Sequence, residues 1–211
     1  MVDTTAEIVL FDGFDELDAI GPYEVLENGF RAGASLETRL VTLEGDTDVN
    51  VTEGTSDGQG LVRASHGLRV EPEGVLGEPD LLLVPGGGWT NEESGVRAAV
   101  EDGALPAAVA DLHSRGATIA SICTGAMVLA KAGLLEGRPA TTHPVAITDL
   151  DAADADVSEE RIVDDGDVLT AGGVTSGIDL ALWLLEREFG ADVATEVAEQ
   201  MVHERRGEVL C

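Results

Sequence analysis

Positive charge is scarce in this sequence. Lysine occurs once, as Lys131, and 12 Lys+Arg stand against 41 Asp+Glu, a formal net charge of −29 over 211 residues. Such a chain would repel the phosphates of nucleic acid rather than neutralise them, so nucleic acid is not an expected partner. An excess of carboxylates with almost no lysine is typical of a surface selected for solubility in concentrated salt, where screening removes self-repulsion. We therefore expect a halophilic protein; an ordinary acidic cytosolic protein is the alternative.

Cysteine and long apolar runs are also lacking. Cys123 and the terminal Cys211 are the only cysteines, too few for a disulfide framework or a cysteine-built zinc site. No apolar run reaches the roughly 18 residues of a membrane span, and residues 1–7 lack the basic region of a signal peptide. We expect a cytoplasmic protein that binds neither membrane nor metal and whose cysteine chemistry depends on one thiol.

What the sequence does contain is a series of short apolar runs that alternate with helical patterns. Its length and its 44% of hydrophobic residues fit a single domain over 1–211. A first helix is predicted to begin near Pro22, and residues 44–60 to form a turn or hairpin. Further helices are expected at 98–114, 124–132, 176–189 and 192–204, and strands at 7–11, 36–43, 61–70, 81–84, 117–122, 161–163 and 167–170. The alternation predicts an α/β fold, a three-layer α/β/α sandwich around a mostly parallel sheet.

The segment from Ala117 to Ala126 is the most informative about chemistry. A predicted strand passes there into a predicted helix with almost no connection, so Cys123 must occupy a sharp turn, as in a nucleophile elbow. Its thiol would lie at the C-terminal edge of the sheet and at a helix N-terminus, which favours the thiolate. The Thr124 backbone N–H would then be one oxyanion-hole donor. The alternative is that Cys123 is a small hydrophobic core residue.

Two other loops are expected at the same edge of the sheet. Strand 81–84 ends in Pro85-Gly86-Gly87-Gly88, where the N–H of Gly87 or Gly88 can complete an oxyanion hole. The first strand ends before a group of carboxylates, Asp15, Glu16 and Asp18.

Asp18 is the best acid/base candidate among these carboxylates. It lies between the apolar residues Leu17 and Ala19, whereas Asp15 and Glu16 are expected to face solvent. Burial and a neighbouring thiolate would raise the pKa of Asp18, so that it holds a proton and transfers it. The alternative is that Asp18 caps the following helix.

Five motifs occur in an order typical of one superfamily. They are Leu17-Asp18-Ala19-Ile20-Gly21-Pro22-Tyr23-Glu24, Pro85-Gly86-Gly87-Gly88, Cys123-Thr124-Gly125, Ala140-Thr141-Thr142-His143 and Gly172-Gly173-Val174-Thr175-Ser176-Gly177-Ile178-Asp179. Over residues 7–200 the chain resembles the ThiJ/PfpI superfamily (class I glutamine amidotransferase-like), and most closely its isonitrile hydratase branch. The resemblance implies that Cys123 is the nucleophile, Asp18 its acid/base partner and Thr124 the elbow neighbour, in a homodimer with the site near the interface.

The resemblance also implies an activity, which other features of the sequence leave open. It implies a cofactor-free hydro-lyase or hydrolase that adds water to an isocyanide and releases an N-substituted formamide. Protease-like members carry histidine directly after the cysteine, and Thr124 at that position argues against them. Glyoxalase or deglycase chemistry, amidase or protease chemistry and a non-enzymatic ligand or redox sensor remain alternatives. His143 and Gly88 are candidates for binding substrate or supporting a loop, although a solitary histidine is usually structural.

Overall fold

An eight-stranded sheet forms the centre of the fold, in a computed structural model that describes residues 3–43, 60–90 and 94–211. The strands of the described residues are β1 (Thr4–Val9), β2 (Leu36–Thr42), β3 (Val62–Arg63), β4 (Arg69–Val70), β5 (Gly74–Val75), β6 (Leu81–Val84), β7 (Thr118–Ile122), β8 (Pro139–Ala140), β9 (Asp156–Val157), β10 (Ile162–Asp164), β11 (Val168–Ala171) and β12 (Val209–Leu210). Their order in the large sheet is β12-β10-β11-β7-β6-β1-β2-β5, and β3-β4 and β8-β9 form separate pairs.

The middle of the sheet is parallel and buried. Strands β1, β6, β7 and β11 lie side by side, and Leu83 is paired with Ile8 on one side and with Ala120 on the other. Strands covered on both faces can be apolar along their whole length, which explains the uninterrupted Leu-Leu-Leu-Val of β6. β10 runs antiparallel to β11. The predicted α/β fold with a mostly parallel central sheet is confirmed.

Seven α-helices within the described residues cover this sheet. They are α1 (Glu16–Arg31), α2 (Val96–Asp102), α3 (Ala104–Ser114), α4 (Ala126–Lys131), α5 (Ile147–Asp151), α6 (Ser176–Phe189) and α7 (Ala191–Gln200). Helices α1, α6 and α7 pack against one another, and α2, α3 and α4 form a second group. Lys131, the single lysine, is exposed in the last turn of α4. No helix of the described ranges is both long and apolar enough to cross a bilayer.

The N-terminal elements differ from the prediction. Strand β1 occupies Thr4–Val9 rather than 7–11, and α1 begins at Glu16 rather than near Pro22, which lies inside the helix. The early start follows from Asp15, because its Oδ1 accepts the Leu17 N–H at 3.1 Å and caps the helix. The expectation for residues 44–60 falls almost wholly outside the described residues.

Candidate active site

Cys123 occupies the sharp turn that the sequence predicts. Strand β7 ends at Ile122, and a single 3₁₀ turn, Cys123–Gly125, leads directly into α4. The φ angle of Cys123 is +55°, in the left-handed region that residues other than glycine seldom adopt. A Cβ on Gly125 would lie 2.3 Å from the Val84 carbonyl oxygen, so glycine is needed for the close approach of turn and sheet. This backbone geometry is that of an elbow.

The second wall of the site is a loop that we call the glycine strap, Pro85–Gly88. The Gly86 N–H donates to Asp18 Oδ2 at 2.9 Å, and the Gly86 carbonyl accepts the Asp15 N–H at 2.8 Å. A Cβ on Gly86 would lie 2.6 Å from Asp18 Oδ2, 2.8 Å from Cys123 Cβ and 2.9 Å from the Thr124 nitrogen. Gly86 therefore lies between the Asp18 carboxyl group and the Cys123 side chain, where there is no room for a larger residue. Gly86 belongs to the glycine run predicted to lie at this edge of the sheet, but the pattern predicts a role only for Gly87 and Gly88.

Asp18 is fully buried in the first turn of α1. Its Oδ2 accepts the Gly86 N–H, whereas Oδ1 has no hydrogen-bond partner among the described residues. Burial, and then repulsion from Asp15, raise the pKa of Asp18 to about 8, although the Gly86 N–H and the Cys123 thiol act to lower it. The carboxyl group consequently holds a proton at neutral pH. Asp15, not Asp18, caps the helix.

The pKa of the Cys123 thiol is shifted in the direction opposite to the one that the sequence predicts. The residue is 7% exposed, and burial followed by repulsion from Asp18 raises the pKa of the thiol to about 12. The Thr124 backbone N–H and hydroxyl act in the opposite direction but do not compensate. The expectation of a thiolate favoured by a helix N-terminus is therefore wrong. Its physical reason is that burial and the neighbouring Asp18 carboxylate disfavour the charged form of the thiol more than the Thr124 N–H and hydroxyl favour it.

Thr124 joins the elbow to the glycine strap. Its hydroxyl donates to the Gly87 carbonyl at 2.8 Å and accepts the Gly87 N–H at 3.0 Å. The Gly87 N–H is thus already engaged, which differs from its expected part as an oxyanion donor; it could serve only if this bond opened. The Gly88 carbonyl accepts the Arg97 N–H at 3.0 Å. The backbone groups of Gly86, Gly87 and Gly88 are thus held by hydrogen bonds to both side chains and backbone of neighbouring elements.

The third wall comes from the segment that contains His143. The Thr142 hydroxyl donates to the Cys123 carbonyl at 2.9 Å. Thr142 belongs to the Ala140–His143 motif, but the sequence pattern predicts no role for it. His143 is half-buried, and its Nδ1 accepts the Val145 N–H at 3.2 Å at the start of a 3₁₀ turn, Pro144–Ala146. This contact fits the loop-supporting alternative for His143.

The carboxylates outside the strap form a separate group. Partial burial acts to raise the pKa of Glu16, but hydrogen bonds from the His66 side chain and nearby backbone N–H groups lower it to about 2. His66 Nδ1 lies 2.7 Å from Glu16 Oε2. Within the described residues, Asp15, Glu16 and His66 bring three potential metal-ligand atoms within 4.8 Å of one another. Glu16 is therefore held by the β3–β4 turn instead of facing solvent freely.

The architecture and site define a class of protein: an α/β protein whose cysteine lies at an elbow beside a buried carboxyl group. The profile of the DJ-1/PfpI family matches residues 4–187. The chain belongs to the DJ-1/PfpI family.

Individual relatives differ in what they do. The chain is 34% identical over 196 residues to the isonitrile hydratase of Pseudomonas putida, covering 92% of this chain and 75% of that protein. It is 38% identical over 154 residues to the HTH-type transcriptional regulator CdhR of Pseudomonas aeruginosa, covering 70% of this chain and 43% of the regulator. A crystal structure of a ThiJ/PfpI family protein from Pseudomonas syringae superimposes with a TM-score of 0.79 at 24% identity, covering 98% and 77% of the two chains.

Proposed function

We propose that this protein is a cofactor-free, cysteine-dependent hydro-lyase that converts an isocyanide and water into an N-substituted formamide. The observation that carries the proposal is the buried Asp18–Cys123 pair, in contact with Gly86 between them. Because the pKa of Asp18 is raised to about 8 and that of Cys123 to about 12, both groups hold protons at neutral pH. Such a pair can add S–H across an electrophilic carbon without releasing a free charge into the interior.

In the first half of the reaction the sulfur of Cys123 attacks the terminal carbon of the isocyanide. Asp18 gives its proton to that carbon and receives the thiol proton, so the carboxyl group ends neutral as it began. A carbon–sulfur and a carbon–hydrogen bond form, the S–H bond breaks, and the product is a covalent thioimidate. Proton transfer by a positioned acid of this kind contributes about 10²–10⁴-fold to a rate.

In the second half water attacks the thioimidate carbon. Asp18 gives its proton to the nitrogen and takes one from the attacking water, which leaves a neutral tetrahedral adduct with the carbon bonded to nitrogen, hydroxyl and sulfur. The carbon–sulfur bond then breaks while the hydroxyl proton passes through Asp18 to the sulfur, which releases the N-substituted formamide and restores the thiol. We assign the backbone N–H of Thr124 to the developing oxyanion because this N–H already acts on the Cys123 thiol, and we keep Gly88 as a second candidate. Gly87 contributes by fixing the strap, since its N–H is bonded to Thr124 Oγ1.

Hydration of a simple alkyl isocyanide by the purified protein in KCl tests the proposal. We expect formamide production by the wild type, loss to background in Cys123→Ala, and a loss of about 10²–10⁴-fold in Asp18→Asn. The rate should fall as pH rises through the Asp18 pKa of about 8, because the proton donor is then lost. Cys211→Ala, which removes the exposed thiol, is the matched control and should retain activity. Turnover that persists in Cys123→Ala contradicts the mechanism.

A sensor is the second candidate, favoured by the 38% identity to the regulator CdhR. In that case Cys123 would be oxidised by peroxide in stoichiometric amounts, and no isocyanide, dicarbonyl or amide would be turned over. Screening these electrophiles against wild type and Cys123→Ser separates the two candidates and also tests the carbonyl-directed alternatives. In either case we propose a homodimer, as the family resemblance implies, and a cytoplasmic location.

A further inference from the structure

Trp89 follows the glycine strap directly and is joined to the third wall of the site. Its side chain is 6% exposed, and the Arg97 guanidinium carbon lies 4.3 Å from the centre of its ring. The indole Nε1–H donates to Asp149 Oδ2 at 2.6 Å. Asp149 belongs to the short helix α5 and is exposed, so the hydrogen bond connects a buried ring to a surface carboxylate.

The two chain segments that this bond connects are fixed to very different degrees. The strap is held by hydrogen bonds of Gly86, Gly87 and Gly88 to three other elements. The segment 142–149, by contrast, consists of one 3₁₀ turn and the start of a five-residue helix. Most of its side chains are half-buried or exposed.

Within the described residues, segment 142–149 has one polar link to the rest of the protein at each end. Thr142 Oγ1 binds the Cys123 carbonyl, and Asp149 binds Trp89. Between them Ala146 is buried, and Leu150 packs into the core just beyond. Apolar packing of these two residues anchors the segment to the core. Among the described residues, the Trp89–Asp149 hydrogen bond is the polar contact that ties the segment to the residue following the strap, and its directional geometry restrains the distance between them.

We propose that Trp89 and Asp149 form a specificity-determining pair. Their hydrogen bond sets the distance between the glycine strap and segment 142–149, and an electrophile reaches Cys123 through the passage between these two segments. The pair positions the wall and does not touch the reacting atoms. The inference rests on the proposed function only in taking Cys123 as the residue that reacts. It predicts that the intact bond selects small electrophiles over bulky ones.

Alkylation of Cys123 measures this selection without requiring turnover. In a Cys211→Ala background, the rate with N-(1-pyrenyl)maleimide is divided by the rate with iodoacetamide. Trp89→Phe keeps an aromatic ring but removes the N–H, and we expect the ratio to rise about fivefold, the factor that corresponds to one net hydrogen bond. Asp149→Ala should raise the ratio equally, and the double variant no further. Asp149→Asn, which keeps an accepting oxygen, should restore the wild-type ratio.

The chain supplies a matched control. Trp183 also donates its Nε1–H to a carboxylate, Asp164 Oδ2 at 2.8 Å, near the β10–β11 turn at the opposite edge of the sheet. Trp183→Phe should leave the alkylation ratio unchanged. An unchanged ratio in Asp149→Ala, or an equal rise in Trp183→Phe, overturns the proposal; Asp149 is exposed, so its variant tests the idea even if Trp89→Phe fails to fold. Alkylation proceeds whether or not isocyanides are hydrated, so the two proposals fail independently.

Discussion

Asp18 holds its proton at neutral pH because its carboxyl group lies in the protein interior. Its position could be predicted from the sequence, since the apolar neighbours Leu17 and Ala19 indicate a desolvated carboxyl. The state of Cys123 could not be predicted in the same way. The sequence shows that a helix follows the cysteine, but the depth of burial depends on how the strap and α1 close over it. That depth decides the sign of the pKa shift.

The raised pKa of Asp18 makes stability depend on pH. The folded state binds this proton more tightly than the unfolded chain, so its contribution is fully present below the unfolded pKa of about 3.9 and is lost as pH rises through the folded pKa of about 8. Asp18→Asn cannot ionise, so its free energy of unfolding should exceed that of the wild type by an amount that grows with pH across that range and reaches several kcal/mol at alkaline pH. Its Tm should be higher by a correspondingly growing margin. Thermal denaturation over a pH series at constant KCl measures this. A Tm difference that does not vary with pH contradicts it, and Asp12→Asn, at an exposed position, is the control.

At the scale of elements, the sequence predicts best where an apolar run meets a clear break. Strand Leu81–Val84 ends at a proline and glycines, and helix Ser176–Phe189 ends before Gly190; both have the predicted bounds. Pro22 is a poor marker for the start of α1, because proline is common in the first turn of a helix but is not confined to it. Asp15 was the better signal, and its capping role depends on backbone geometry that spacing does not show.

The glycine strap carries an element-scale prediction. In Gly86→Ala the added Cβ would meet Asp18 Oδ2, Cys123 Cβ and the Thr124 nitrogen, all within 2.9 Å. We expect isocyanide hydration to be lost and the free energy of unfolding to fall by about 1–3 kcal/mol, as for other overpacked sites. Gly173→Ala is the matched control, since its Cβ would meet nothing within 4 Å. Activity retained in Gly86→Ala would mean that the contact between acid and thiol can widen without consequence.

At the scale of the whole molecule, acidic charge dominates. Some of it is paired: Arg138 contacts Asp165 and Asp167, and His113 Nε2 lies 2.7 Å from Asp167 Oδ2. Pairing nevertheless cannot balance 41 acidic side chains with 12 basic ones. The charge imbalance, the superfamily and the fold could all be predicted from the amino-acid sequence. The Trp89–Asp149 hydrogen bond could not be predicted, because its partners lie far apart in the sequence.

Salt should therefore stabilise this protein. KCl weakens the attraction within surface ion pairs, but it also screens the far more numerous repulsions, with a Debye length of about 3 Å at 1 M. We expect Tm to rise steeply with KCl, and to rise less with a non-ionic osmolyte that acts only through exclusion from the surface. A Tm that stays level or falls as KCl increases would contradict the inference of a halophilic protein.

The single lysine also has a practical consequence. Because Lys131 is exposed at the end of the helix that begins at the elbow, an amine-directed dye will label one side chain, besides the α-amino group. At a helical rise of about 1.5 Å per residue, Lys131 lies about 8 Å along α4 from Ala126, the first residue of the helix after the elbow. Fluorescence from this one position would report on events at the thiol while leaving the thiol itself unmodified.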